Sequence, residues 1–396
     1  MKILSVSAQK PDSTGSGVYL TELVKGFEKL GHEQAVLCGV TKEDVIHLPE
    51  SVKCYPVYYK SEEMPFPVCG MSDEMPYEST RYCDMTEEMT KKYTETFLEK
   101  VRQIIDEFNP DIILCHHLYY LTSLIRWNYP DKKIYAICHG SDMRQVKKNV
   151  WQREYIKEQI PKMNSIFALH EEQKKIICDF YGCGDDKVQV IGTGYNSHIF
   201  YRTGEKEKTD KLQLIFAGKI SEKKGVKSLI KSMEYLKDEN VVLKLAGGAG
   251  NAQEYKEIEE LAKVCSCEVK FLGKLSQQEL AKATNNSDIF VLPSFYEGLP
   301  LVIIEAMACG ARVVCTDLPG IRPWINQMLP GNGIVFVTPP QMQNEDEPLE
   351  ESLPFFEKQL AEAILKVREK ELASKEALEK ISWDGLCEKL IQYWGE

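Results

Sequence analysis

Residues 288–310 read DIFVLPSFYEGLPLVIIEAMACG. The first part is an apolar run of strand length that breaks at Pro293-Ser294. A loop carrying Glu297 and Gly298 follows, and then an apolar segment of helical length that carries Glu305. Strand, turn and helix in that order make half of a βαβ unit. The run does not alternate with polar residues, which marks a strand covered on both faces, as in a parallel sheet. Outward from this stretch the same grammar repeats. LQLIFAG (212–218), VVLKLAG (241–247) and EVKFLG (268–273) precede it and ARVVCT (311–316) follows, with helical segments between them. A second series, ILSVS (3–7), QAVLC (34–38), DIILC (111–115), KIYAIC (133–138) and SIFAL (165–169), lies before the polar stretch Tyr201–Asp210. The expected architecture is α/β: two doubly wound, Rossmann-like parallel-sheet domains, residues 1–200 and 201–380. A final helix over about 381–396 aligns Trp383, Leu386, Leu390 and Trp394 in one apolar stripe, so it has to dock on something.

The composition agrees. A chain of 396 residues with 43% hydrophobic and 28% charged content can fill two cores, which excludes global disorder. Its net charge of −11, with neither half basic, argues against nucleic acid as a partner. No apolar run approaches the roughly 18 residues of a membrane-spanning helix, and Met1–Ser7 reads as a first strand. The expected location is the cytoplasm, with transient contact at the inner membrane face left open. Thirteen cysteines without a CxxC pair point to reduced thiols, and Cys265 and Cys267 have no companion at zinc-site spacing, so no metal site is assigned. Two acidic insertions stand out, 61–90 and 341–357. Both read as solvated loops, and the first has a flap over an acceptor as its alternative.

Three places could carry chemistry. The turn Ser13–Gly17 (STGSG) runs into a helix whose first amides could meet an anion, although it lacks the GxGxxG spacing of a dinucleotide site. Gly218, Lys219, Lys224 and Gly225 follow the first strand of the second domain, where two cations beside a helix N-terminus suit a diphosphate. Exposed lysines are the alternative. Glu297 and Glu305 bracket another helix N-terminus, an arrangement suited to a sugar nucleotide; an N-cap acid plus a surface glutamate is the other reading.

PSFYEGLPLVIIEAMACG, with FAGKISEKKGV upstream, resembles the donor site of the family 4 retaining glycosyltransferases of the GT-B fold. The resemblance extends to the early glycine turn with Leu30-Gly31-His32-Glu33, to His139-Gly140-Ser141-Asp142, to the link VIGTGYNSHIF and to the final SW helix. It implies two domains facing across a cleft, with the last helix returning to the N-terminal one. It implies that Lys219 and Lys224 bind the donor diphosphate, with Lys219 where relatives usually have arginine. Glu297 would face the donor sugar, the backbone of Gly298, Leu299, Pro300, Leu301 and Val302 would hold sugar and phosphate, and Glu305 the ribose. Gly273, Lys274 and Leu275 would line the base, and Gly15 and Gly17 would close over the phosphates. His139 would contact the donor sugar and count, with Glu297 and Lys224, among the catalytic residues. Asp142, Arg144 and His117 would meet acceptor or sugar, with His116 beside them; His170 stands where relatives often carry serine.

The reaction implied is a metal-independent, front-face, retaining transfer without a cofactor. Its donor is a nucleoside-diphosphate sugar, a UDP-sugar ahead of GDP-mannose. The acceptor is a hydroxyl of a glycan, lipid-linked glycan or small molecule. A sugar-nucleotide epimerase of the same architecture and a non-catalytic partner subunit are the alternatives.

Overall fold

A computed structural model describes residues 1–11, 13–72, 75–204, 206–207, 209–249, 251–297, 299–344 and 347–395. The chain divides into two compact units, Met1–Thr193 with Trp383–Glu396, and Gly194–Ser382. Tyr195 and Phe200 of the link are buried in the second unit's core. No helix among the described residues is long and apolar enough to cross a membrane.

In the first unit the strands are β1 (Lys2–Val6), β2 (Glu33–Val40), β3 (Lys53–Tyr58), the two-residue β4 (Cys69–Gly70) and β5 (Thr80–Arg81), β6 (Ile112–His116), β7 (Ile134–Ile137), β8 (Ser165–Ala168) and β9 (Val188–Val190). Seven of them form one parallel sheet in the order β3-β2-β1-β6-β7-β8-β9. The winding reverses at β1, which pairs through Ile3 with Gln34 on one side and with Ile112 on the other. Ligands in open α/β sheets bind outside the carboxyl ends of the strands at such a reversal. The helices begin where the chemistry asks for it: Thr14 Oγ1 accepts from the Gly17 amide at 3.1 Å to start helix Gly15–Lys29. Helix Glu87–Phe108 starts on a Thr86 cap and ends on Asn109 in the left-handed region, and turns Tyr93, Phe97, Val101, Ile104 and Phe108 inward.

The acidic stretch 61–90 is not the solvated loop its charge implies. Met64, Phe66, Val68, Cys69, Met71, Tyr82 and Met85 are buried in the main core of this unit, and β4 pairs with β5. Its described carboxylates, Glu62, Glu63, Glu78, Asp84, Glu87 and Glu88, are exposed over an apolar interior. By contrast, described residues of 341–349 are largely exposed around a Met342–Pro348 bridge, while Phe356 and Glu357 belong to the buried face of helix Leu353–Val367.

The helix Trp383–Gly395 completes the first unit. Trp383 meets Tyr19 edge-on at 4.8 Å, and Trp394 packs on Phe27 and Tyr135. Gly26 is where this helix comes closest: a Cβ there would collide with Cys387 Sγ.

In the second unit the strands are β10 (Leu212–Ala217), β11 (Val241–Ala246), β12 (Glu268–Gly273), β13 (Ile289–Leu292), β14 (Arg312–Thr316) and β15 (Val335–Val337), all parallel, in the order β12-β11-β10-β13-β14-β15. Here the reversal lies between β10 and β13, so Ala217 and Leu292 end side by side.

Candidate functional site

The second unit gathers its charged residues at that reversal. Gly225, at φ +68°, would drive a Cβ into the Pro293 carbonyl oxygen, so glycine lets the loop after β10 lie directly on the end of β13. The Phe295 amide donates to the Lys223 carbonyl at 3.0 Å and stitches the two loops together. Lys224 Nζ therefore lies 2.8 Å from Glu297 Oε1 and 3.4 Å from the Tyr296 carbonyl. The hydroxyl of Ser294, fully buried, donates to the same Glu297 oxygen at 2.6 Å and fixes the carboxylate's direction. Lys219 is exposed and has no hydrogen-bond or ion-pair partner among the described residues. Glu305, on helix Leu301–Ala308, also lacks a side-chain partner among them, and burial pushes its carboxyl up to about 7. The neighbouring strand ends close in the same way. The Gly247 amide donates to the Gly273 carbonyl at 2.8 Å, a Cβ on Gly247 would strike the Gly218 carbonyl oxygen, and the Lys274 chain lies along Gly248. Leu275, Leu299, Leu301 and Val302 turn their side chains partly into the core.

The first unit builds a different group at its own reversal. His116 ends β6 and His139 follows β7; their rings stack 5.3 Å apart, with His116 Nδ1 3.1 Å from His139 Nε2. His117 meets His139 edge-on at 4.9 Å, and its Nε2 lies 3.1 Å from Ser16 Oγ. His117 has φ +78°, a conformation a non-glycine side chain rarely adopts, and the Ile137 carbonyl holds its amide at 3.0 Å. Burial keeps all three rings neutral: His116 is lowered to about 3, His117 is lowered, and His139 is held well below the usual range, the other two histidines adding to the effect. Tyr19 packs edge-on against His139 at 5.1 Å.

The profile of Glycosyltransferase Family 4 matches residues 13–198 and that of Glycosyl transferases group 1 matches residues 199–349. The chain belongs to this family of glycosyltransferases. An uncharacterized glycosyltransferase of Methanocaldococcus jannaschii is 25% identical over 243 residues, 58% of this chain and 59% of that protein. The D-inositol 3-phosphate glycosyltransferase of Xylanimonas cellulosilytica is 27% identical over 174 residues, 40% of this chain and 42% of that protein. The chain thus spans less than two thirds of the length of these relatives. HepE of Anabaena, solved in complex with UDP, superposes with a TM-score of 0.62 at 14% identity, covering 100% of both chains. The fold is the GT-B arrangement of two Rossmann-like units.

In this chain the structure brings Lys224 and Glu297 into contact and sets Gly218 and Gly273 at the ends of β10 and β12, with β11 between them. The Leu301 amide is already donated to the Leu299 carbonyl at 3.0 Å. Gly298 lies outside the described residues. Gly15 opens its helix on the surface, whereas Gly17 is buried. Asp142 needs correcting as an acceptor or sugar contact. It is completely buried, and its carboxylate accepts from the amides of Leu118 (2.8 Å), Met143 (3.0 Å) and His139 (3.3 Å), with the Cys138 thiol also in reach. Its place is to hold the backbone that carries His117 and His139. Arg144 is exposed and reaches Ser72 Oγ at 3.5 Å. His170 does what a serine would do there: its Nδ1 accepts from the Gln173 amide at 3.2 Å and caps helix Glu171–Tyr181. Ser294 and Ser16 lie inside the PSFYEG and STGSG motifs, but the partners of their hydroxyls are not readable from spacing.

Proposed function

We propose that this chain transfers a sugar from a nucleoside-diphosphate sugar, UDP before GDP, to an acceptor hydroxyl with retention at the anomeric carbon. One observation carries the reading: the Lys224–Glu297 contact at the end of β13, with Lys219 at the end of β10 uncommitted among the described residues and Glu305 on the following helix. In the reaction the bond from the anomeric carbon to the diphosphate oxygen breaks and the bond to the acceptor oxygen forms on the same face. The acceptor proton passes to the departing phosphate oxygen, so no separate base is needed. Lys219 and Lys224 offset the charge that develops on that phosphate, Glu297 orients the sugar hydroxyls, and Glu305 accepts from the ribose. His139, neutral, offers a hydrogen bond to the sugar without adding charge.

Two lysines at the diphosphate do the electrostatic work of a divalent ion, which supports a metal-free reaction. HepE, of the same fold, was solved with UDP bound, which supports the choice of base. All thirteen cysteines are free, which fits a reducing, cytoplasmic setting.

Calorimetric titration with UDP, GDP, ADP and dTDP, with and without EDTA, tests this reading. UDP should bind best, with an affinity that EDTA leaves unchanged. Preference for GDP would move the donor to a GDP-sugar, loss of binding in EDTA would end the metal-free proposal, and no binding at all would remove the donor site.

A further inference from the structure

A cavity of about 470 Å³ opens in the first unit. Tyr120, three residues past His117, begins the helix Tyr120–Asn128 and forms part of its wall. One face of helix Glu87–Phe108 supplies another part: Glu87, Thr90, Lys91, Thr94 and Glu95 recur every turn toward the cavity. Trp151 lies across from them, half-buried, its indole held edge-on by Tyr120 at 4.8 Å and tilted against Tyr82 at 5.4 Å. The Thr94 hydroxyl donates to the Thr90 carbonyl at 2.8 Å, so the Tyr120 hydroxyl, 3.0 Å away, donates to Thr94, and the two oxygens keep lone pairs for a ligand's hydroxyl donors.

We propose that this cavity is the acceptor subsite and takes an uncharged pyranose ring, the terminal sugar of a neutral glycan. The inference rests on the transferase reading and names its acceptor class. A pyranose has a face of C–H groups that lies flat on an aromatic ring and an equator of hydroxyls. A fixed indole flanked by threonine and tyrosine hydroxyls and two carboxylates matches both. The charge decides against a phosphorylated acceptor. Glu87 and Glu95 line the cavity against Lys91, which is 3.9 Å from Glu95. The nearby Arg153 is consumed, its guanidinium donating to the carbonyls of Val146, Asn149 and Lys147 at 2.8, 3.0 and 2.9 Å. A phosphate there would meet two carboxylates against the one ammonium of Lys91, itself next to Glu95, with the guanidinium of Arg153 already spent on backbone.

The test is saturation-transfer NMR on the full chain, with UDP present. The probes are the methyl α- and β-glycosides of glucose, galactose, mannose and N-acetylglucosamine, with myo-inositol 1-phosphate as the anionic comparison. At least one glycoside should receive saturation and the inositol phosphate should not. Trp151→Ala should abolish the signal, while Trp151→Phe and the exposed Glu95→Gln should each weaken binding by about threefold to tenfold with UDP affinity unchanged. Because Glu95→Gln alters only a surface side chain, a folding defect in Trp151→Ala leaves the proposal open to refutation. It is overturned if no glycoside is saturated, if Trp151→Ala and Glu95→Gln bind like the parent, or if inositol phosphate binds instead. Glycosides that bind through Trp151 in a chain that binds no nucleotide would keep the subsite and discard the transferase reading.

Discussion

Each unit puts its functional residues at the carboxyl edge of a parallel sheet where the winding reverses, and the two fill that place with opposite chemistry. At the end of β10 and β13 the groups are charged and within reach of water, Lys224 28% and Glu297 14% exposed in their side chains. At the end of β6 and β7 the groups are three imidazoles made neutral by burial, and the carboxylate beside them, Asp142, is spent on backbone amides. On the proposed reading, groups that answer a diphosphate have to keep their charge, so they stay near solvent and are paired to one another. Groups that meet sugar hydroxyls work by direction alone, and burial serves them because it removes charge and fixes the rings.

The largest way to break this contrast is Lys224→Ala. Removing a cation from the developing phosphate charge should lower turnover by about 10²–10⁴-fold with circular dichroism and melting unchanged; turnover near that of the parent would mean that the charged edge is not where the phosphate departs. His139→Ala probes the neutral edge. Transfer should fall by roughly 10²-fold while UDP affinity by calorimetry stays the same, and a parallel loss of both would shift His139 into nucleotide binding or folding.

Glu305 sharpens the comparison, because it is the member of the charged edge that burial has carried toward neutrality. Its carboxyl is raised to about 7 from 4.5, so the native state favours the protonated form. Its contribution to stability is complete below pH 4.5 and is lost as pH rises through 7. Ribose hydroxyls donate to the ionised form, so UDP binding should release a proton near pH 7 and weaken by up to about tenfold for each pH unit below it. Glu305→Gln should flatten that profile, and a profile unchanged by the substitution would detach Glu305 from the ribose. The smallest effect concerns the frame: Gly26→Ala forces a methyl group against Cys387 and should cost about 1–3 kcal/mol, visible as a lower melting temperature in thermal unfolding. An unshifted melting temperature would mean that the terminal helix yields without cost.

The sheets are legible in the sequence because continuous apolar runs such as LQLIFAG and DIILC fit strands buried on both faces, and the charged edge is legible because its residues follow those runs directly. The neutral edge is less so. His116 and His139 meet because β6 and β7 are neighbours with His116 opposite Ile137, a pairing that no spacing of 23 residues announces. Asp142 reads as a ligand because an aspartate just after a strand end usually points to solvent; the amides that claim it converge only in three dimensions. The stretch 61–90 misleads through its net charge, which hides the alternation of Met64, Phe66 and Val68 with the exposed Glu63 and Pro65 and the half-buried Pro67.

The helix Trp383–Gly395 has a consequence for how the chain is made. The ribosome delivers residues 1–193 first, yet the flank formed by Tyr19, Phe27 and Tyr135 is covered only after the whole of Gly194–Ser382 has followed. At ordinary rates of synthesis that is a wait of about 10–40 seconds. During it the early domain carries an open aromatic seam, and the helix made afterwards acts as a clasp that closes it.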